Sequence, residues 1–179
     1  MEGGTEAIQL REKELGGREL FHLAEKAKSL CERYSARLFI NDRVDVALAV
    51  DADGVQLARS SMPIEAARAL LGTEKLIGAS THSINEIQEA HRSGADFILF
   101  GPVYFTPSKA AYGEPQGLAR LKEAVEKSPI PVYAIGGIKA ENSAEVKKTG
   151  IRGVALISAV LSASDPKSAA QDILQALQR

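Results

Sequence analysis

The sequence predicts a parallel α/β fold, and three observations predict it. Seven short apolar segments recur along the 179 residues, and each is followed by a stretch whose apolar residues have helical spacing. The segments at 38–40, 97–100 and 154–157 are nearly continuous apolar runs, which are typical of parallel strands covered by helices. Strict alternation of strand and helix favours right-handed crossover connections between parallel strands. We therefore expect one curved parallel sheet surrounded by helices.

The elements follow in order along the chain. The predicted strands are residues 7–10, 37–40, 54–57, 75–79, 96–100, 131–135 and 153–157. The predicted helices are residues 19–34, 44–50, 63–71, 84–93, 117–126, 140–149 and 163–177. Pro63 and Pro166 suit first helical turns, whereas Gly72, Gly94 and Gly150 suit helix ends. Two acidic residues, Asp53 and Asp96, precede strands and are predicted to be structural turn residues, because they lie at the amino ends of the strands.

Composition favours one domain over residues 1–179. An apolar fraction of 45% can fill a core, and a formal net charge of −1 gives no reason to expect nucleic acid or an anionic membrane as partner. No signal peptide or membrane-spanning apolar run is visible, and Cys31 as the single cysteine excludes an internal disulfide. These features predict a cytoplasmic protein. Cys31 lies among apolar residues of the first predicted helix and is expected to be an inert, partly buried thiol.

Charged and hydroxyl side chains collect at the carboxyl ends of the predicted strands. That edge is where ligands bind in parallel α/β folds. Scattered Lys and Arg usually mean solvated surface, but their shared placement favours a polyphosphate site, with a divalent metal bridging Asp42 and the ligand. The cations are Arg11, Lys13, Arg43, Arg59 and Lys109, and the hydroxyls are Ser80, Thr106, Ser108 and Ser158.

Two segments near the carboxyl terminus suggest a separate phosphate site. Gly136-Gly137 follows the sixth predicted strand, and Ile157-Ser158 follows the last. Glycines let backbone amides approach a phosphate, and a phosphate site after the last two strands is common in α/β barrels. A tight strand-to-helix turn explains either segment equally well.

Six motifs occur in an order that resembles the thiamine-phosphate synthase family, including its thiazole tautomerase branch. The likeness runs from about Thr5 to the carboxyl terminus. The motifs are QLREK at 9–13, INDR at 40–43, DGVQL at 53–57, GASTH at 78–82, GPVYFTPSK at 101–109 and AIGGI at 134–138.

The resemblance implies a TIM-like (βα) barrel that couples aminomethylpyrimidine diphosphate to thiazole phosphate, giving thiamine monophosphate and pyrophosphate. It implies Mg²⁺ as cofactor, with Asp42 as its ligand. It also assigns binding of the pyrimidine diphosphate to Gln9, Arg11, Lys13, Asn41 and Lys109, with Ser80 at the pyrimidine. Binding of the thiazole phosphate falls to Thr106, Ser108, Gly137, Ile157 and Ser158, and Gly136 in the same glycine turn is a further candidate for substrate binding. The residues with catalytic roles are Arg11, Lys13, Ser80 and Lys109.

The chain departs from the synthase pattern after its third strand. The synthase pattern includes a second Asp that binds Mg²⁺. This chain has Ser61 at that position. A hydroxyl is a weaker Mg²⁺ ligand than a carboxylate, so we expect metal affinity about 10–100-fold lower. Arg59 precedes Ser61 and would supply positive charge to the pyrophosphate, although an exposed loop arginine is the simpler interpretation.

A second departure concerns the tautomerase branch. The pattern of this branch includes a Gly-His-Val segment whose histidine moves the proton. This chain has Gly101-Pro102-Val103 there, and proline cannot transfer a proton. His82 is then either a substitute base or a turn residue. A tautomerase-like enzyme and a noncatalytic, regulatory phosphate-binding protein remain the alternatives to the synthase.

The first βα unit of the family barrel has no counterpart in the sequence, since only seven strands are predicted. An upstream segment, a second protomer or a different closure would have to cover the gap. A homo-oligomer is expected if a second protomer does so.

Overall fold

The computed structural model describes residues 1–106 and 114–178. Its seven strands are parallel and lie in the order of the sequence, from β1 to β7. The strands are β1 (Ala7–Leu10), β2 (Arg37–Asn41), β3 (Gly54–Leu57), β4 (Leu76–Thr81), β5 (Phe97–Phe100), β6 (Val132–Ile135) and β7 (Gly153–Ala155). The helices are α1 (Gly17–Arg33), α2 (Val44–Ala49), α3 (Ile64–Leu71), α4 (Ile84–Arg92), α5 (Gly117–Lys127), α6 (Ala140–Lys147), α7 (Ser158–Leu161) and α8 (Pro166–Gln178).

Several boundaries differ from the predicted ones. Strand β4 extends to Ser80 and Thr81, because these polar residues pair in register with β5. Strand β7 ends two residues early, and the short helix α7, which the sequence did not predict, begins at Ser158. Pro63 caps α3 from outside instead of lying in its first turn, whereas Pro166 begins α8 as predicted.

Two carboxylates secure the amino ends of the strands. The Leu38 amide donates to Asp53 Oδ2 at 2.8 Å, and the Ile77 amide donates to Asp96 Oδ2 at 2.7 Å. In both cases the carboxylate fixes the strand that precedes it along the sheet. The predicted structural role of Asp53 and Asp96 is therefore confirmed.

The core lies between the outer face of the sheet and the helices. Alternate strand residues such as Leu38, Ile40, Val55 and Ile98 are fully buried there, as the period of two in a strand requires. Cys31 packs into the same core, and burial raises the pKa of its thiol. A high thiol pKa agrees with the expected inert role.

Three aromatic rings occupy the inside of the curled sheet, and we call Phe39, Phe97 and Tyr133 the aromatic floor. The Phe39 and Phe97 ring centroids are 5.4 Å apart, and those of Phe97 and Tyr133 are 5.5 Å apart. Since β2 and β5 are not neighbours in the sheet, the sheet must curl for Phe39 to reach Phe97. Each ring lies in register with a glycine of an adjacent strand, in the pairs Phe39 and Gly54, Phe97 and Gly78, and Tyr133 and Gly153.

The curled sheet is a half-barrel of TIM-like type, as the sequence predicted. Within residues 1–106 and 114–178, β1 pairs only with β2, and β7 pairs only with β6. None of the helices in these ranges is both long enough and apolar enough to cross a membrane.

Candidate functional site

A layer of polar side chains lies directly above the aromatic floor, on the side where the strands end. Residues two positions along a strand face the same way, so each layer lies about 6.6 Å nearer the mouth than the one below. On β1 to β4 the inward residues of this layer are Gln9, Asn41, Gln56 and Ser80, which we call the polar layer. On β5 to β7 the corresponding residues are Leu99, Ile135 and Ala155. The interior is therefore polar on one half and apolar on the other.

Hydrogen bonds connect the polar layer to Asp42. Gln9 Nε2 donates to Asn41 Oδ1 at 2.9 Å, and Asn41 Nδ2 donates to Asp42 Oδ2 at 2.8 Å. The Ser61 hydroxyl donates to the other oxygen, Asp42 Oδ1. The carboxylate thus receives one donor on each oxygen. Three residues that the sequence assigned to one site, Gln9, Asn41 and Asp42, are brought together.

Asp42 itself has an uncommon backbone conformation. Its φ of 61° lies in the left-handed region, which Asp tolerates better than most residues. Its amide donates to the Gln56 carbonyl at 3.1 Å, so β3 holds the residue immediately after β2 ends. This turn aims the side chain along the mouth, where Asn41 and Ser61 contact it.

The predicted cations differ in their surroundings. Arg11 and Lys13 are exposed just after β1 and form no ion pair with the described part of the chain. Arg43 donates to both oxygens of Asp45, at 2.8 and 2.6 Å, and this lowers the pKa of Asp45. The Arg43 guanidinium is therefore already engaged by a neighbouring carboxylate.

The remaining cations give less support to the site. Arg59 Nη1 lies 3.6 Å from Glu86 Oε1 with its side chain 88% exposed, which agrees with the simpler interpretation of a loop arginine. Lys109 and Ser108 lie outside the described residues. Arg11 and Lys13 are consequently the two described cations with the best access to an anion.

The Gly136-Gly137 turn serves packing as well as any ligand. Its φ angles are 98° and 67°, in the left-handed region that favours glycine. A Cβ at Gly136 would lie 2.5 Å from Pro102 Cβ, and one at Gly137 would lie 2.6 Å from Tyr104 Cβ. The turn explanation is thus supported. The Gly137 amide still has no hydrogen-bond partner among the described residues, so it can donate to an anion.

The other residues assigned to the second phosphate lie around this turn. Ile157 and Ser158 are exposed, and they lie just before α7 and at its first residue. Thr106 Oγ1 donates to the Tyr104 carbonyl at 3.1 Å, which leaves its oxygen able to accept. The residues from β5 to β7 therefore supply a second group of polar atoms at the mouth.

The sequence pattern did not indicate a role for Gln56. This side chain is only 3% exposed, and its Nε2 donates to Ser80 Oγ at 3.1 Å. Its position two residues after Gly54, on the same strand face, was the available signal. His82 Nδ1 donates to the Gly101 carbonyl at 2.5 Å, which supports a turn role for this histidine.

Comparisons with known proteins show which sequences this chain is similar to. Residues 1–160 match the thiamine monophosphate synthase family. A relative from Geobacter sulfurreducens is 51% identical over 98% of this chain and 82% of its own length. The thiamine-phosphate synthase of Clostridium novyi is 44% identical over 97% of this chain and 85% of its own length.

One solved structure supports the same relationship. The thiamine phosphate pyrophosphorylase from Pyrococcus furiosus superposes with a TM-score of 0.91 at 44% identity, covering 99% of this chain and 85% of that one. A 3-hexulose-6-phosphate synthase, with a TM-score of 0.68 at 21% identity over 96% of this chain and 87% of that one, shares the fold alone. The chain belongs to the thiamine monophosphate synthase family.

Proposed function

We propose that this protein joins aminomethylpyrimidine diphosphate to thiazole phosphate, releasing pyrophosphate and thiamine monophosphate. Relatives that are 42–45% identical and carry the name thiamine-phosphate synthase support this reaction. The observation that carries the proposal is the hydrogen-bonded chain from Gln9 through Asn41 to Asp42, beside the exposed cations Arg11 and Lys13. This arrangement suits an organic diphosphate, because it offers both neutral donors and positive charge.

The pyrimidine diphosphate would occupy the polar half of the interior. Gln9 and Asn41 would orient it, and Ser80 would contact the pyrimidine. Arg11 and Lys13, with Lys109, would neutralise the pyrophosphate as its bond to the pyrimidine methylene breaks. Stabilising charge that develops on a leaving group is a large part of such catalysis.

The oxygen atoms of Asp42 and Ser61 fit a Mg²⁺ ion that is shared with the substrate. Asp42 contributes one carboxylate, and the Ser61 hydroxyl lies against it. No group of three or more His, Cys, Asp or Glu side chains forms a metal site within the described ranges. Mg²⁺ is commonly held by one or two carboxylates together with substrate phosphates and water. When bound, it would supply positive charge to the diphosphate.

The thiazole phosphate would occupy the apolar half. Leu99, Ile135 and Ala155 offer apolar contact to a ring, while the Gly137 amide, Ser158 and Thr106 offer polar atoms to a phosphate. Ser108, Gly136 and Ile157 complete this proposed group. Departure of pyrophosphate would leave a stabilised cation at the pyrimidine methylene, and the thiazole nitrogen would then capture this cation. The protein's contribution is to hold the two substrates adjacent and to exclude competing water.

Mass spectrometry of thiamine monophosphate after incubation with both substrates and Mg²⁺ tests the reaction. Lys13→Ala should lower kcat/KM by at least about 10-fold, since one charge-assisted contact to the leaving group is lost. Lys26→Ala, at an exposed lysine of α1, is the matched control and should leave the rate unchanged. Binding of both ligands without turnover would instead support the noncatalytic alternative.

A further inference from the structure

We propose that Ser61 is a positioning residue that holds the Asp42 carboxylate in its working orientation. The inference rests on the proposed function, because Asp42 matters most if a diphosphate and its metal bind beside it. Ser61 lies in the loop between β3 and α3, and its hydroxyl donates to Asp42 Oδ1. The resemblance placed Ser61 at the metal site of Asp42, but it did not indicate a hydrogen bond between the two residues, which are 19 positions apart.

The loop holds the Ser61 hydroxyl firmly. The Ala58 amide donates to Ser61 Oγ at 2.7 Å, and the Ser61 amide donates to the Ala58 carbonyl at 2.9 Å. Residues 58–61 therefore form a closed turn that fixes both the backbone and the hydroxyl. Because Ser61 Oγ accepts from the Ala58 amide, its O–H is left to donate to Asp42.

Asp42 is held from the opposite side by a different element. Asn41 Nδ2 donates to Asp42 Oδ2, and the Asp42 amide bonds to the Gln56 carbonyl. Rotation of the Asp42 carboxylate would break the hydrogen bonds to both of its oxygens. Hydrogen bonds to an ionised group are stronger than neutral ones, so this pair of donors restricts the side chain.

The same geometry distinguishes positioning from direct ligation. A serine hydroxyl offers one donor and two acceptor sites. In Ser61 the donor is used on Asp42 and one acceptor site is used on Ala58. One acceptor site of the Ser61 oxygen is left, whereas its only proton is committed to Asp42, so Ser61 acts on a bound anion through Asp42. If Ser61 served only the turn, loss of its hydroxyl would leave the Asp42 and Asn41 side chains unchanged.

A first experiment needs neither metal nor substrate. The side-chain amide signal of Asn41 is followed by ¹⁵N NMR in the wild-type protein and in Ser61→Ala. The signal should shift and broaden in Ser61→Ala, because Asp42 gains freedom to rotate, and it should return in Ser61→Thr, which keeps the hydroxyl. Ser60→Ala, at the exposed neighbouring serine, should leave the signal in place. An unchanged Asn41 signal in Ser61→Ala would overturn the proposal.

A second experiment measures calorimetric binding of pyrophosphate in the presence of Mg²⁺. Ser61→Ala should weaken binding about 10-fold, whereas Ser61→Thr should stay within about twofold of wild type. Should Ser61→Ala fold poorly by circular dichroism, Ser61→Cys gives the same comparison with a weaker donor. An NMR response without turnover by the wild-type protein would reject the synthase reaction alone. Turnover with no response in either experiment would reject the positioning role alone.

Discussion

Gln56 determines what the neighbouring Ser80 can offer a ligand. Gln56 Nε2 donates to Ser80 Oγ, so the serine oxygen is already an acceptor and its own O–H is left to donate. The Ser80 hydroxyl can therefore donate to an acceptor on a ligand, such as a ring nitrogen. The buried amide thus controls the direction of a hydrogen bond that it does not itself make.

Gln56→Leu should lower kcat/KM for the pyrimidine diphosphate by about 5–30-fold, because the Ser80 hydroxyl loses the bond that orients it. Steady-state kinetics with the pyrimidine substrate varied would measure this. Gln171→Leu, at an exposed position of α8, provides the control. Equal kinetics in the two variants would contradict the role assigned to Gln56.

Tyr104 should make stability fall at high pH. Burial, followed by its hydrogen bond to Glu145, raises the pKa of the Tyr104 hydroxyl well above its ordinary value. Above the unfolded tyrosine pKa of about 10, the unfolded chain releases this proton while the folded protein retains it. Fewer protons on the unfolded state mean that stability decreases as pH rises. Chemical denaturation between pH 9 and 11.5 should show a shallower decline for Tyr104→Phe than for wild type.

At the scale of elements, each ring of the aromatic floor lies opposite a glycine on a neighbouring strand. Ring and glycine face each other on neighbouring strands because a side chain in place of the glycine would collide with the ring or with backbone. A Cβ at Gly54 would lie 2.1 Å from the Leu76 carbonyl oxygen, which belongs to the backbone and cannot move aside. At Gly78 the collisions are with side-chain atoms of Gln56 and Phe97, at 2.2 and 2.4 Å. At Gly153 the nearest atoms are in the Tyr133 ring, at 3.0 Å.

These distances predict an order of destabilisation for three alanine variants. Gly54→Ala should lower the free energy of unfolding by about 3 kcal/mol, Gly78→Ala by about 1–2 kcal/mol and Gly153→Ala by less than about 1 kcal/mol. Gly16→Ala is the matched control, since its Cβ would meet Glu19 only at 3.6 Å. Urea denaturation measures all four, and a different order would refute the packing explanation.

The strand and helix positions were predictable because their signal is local. Apolar runs indicate buried strands, but they do not indicate the residue at which pairing with the neighbouring strand ends. Ser80 and Thr81 stay in β4 although they are polar, and Ile157 leaves β7 although it is apolar and becomes 59% exposed. The resemblance put Ser61 at the metal site of Asp42, but it could not show that the Ser61 hydroxyl donates to Asp42, because that contact depends on how two loops from different strands meet. The resemblance located Gln9, Asn41 and Asp42 near one another, but only the register of β2 and β3 explains how Gln56 supports that site.

At the scale of the whole molecule, the half-barrel ends in two outer strands. Strands β1 and β7 each pair on one side only in the described ranges. Three apolar side chains near the mouth, Phe105, Ile157 and Leu161, are 65%, 59% and 74% exposed. Exposed strand edges and apolar surface both favour association.

We therefore predict that the 179-residue chain is a homo-oligomer. Multi-angle light scattering should give at least twice the chain mass of 19.1 kDa at micromolar concentration. A monomer that also fails to bind a dye for exposed apolar surface would contradict this prediction. Leu161→Glu should shift the mass toward the monomer if α7 contributes to the contact.

The aromatic floor has a consequence for how this protein can be redesigned. Because Phe39, Phe97 and Tyr133 fill the interior below the polar layer, bound molecules can contact only the strand positions above them. A combinatorial library confined to Gln9, Asn41 and Ser80 would therefore sample new ligand chemistry while keeping the aromatic floor intact. A library placed one layer deeper, at the aromatic floor, would consist mainly of variants that fail to fold. Depth along each strand thus separates the positions where selection can alter recognition from those where it can only preserve the scaffold.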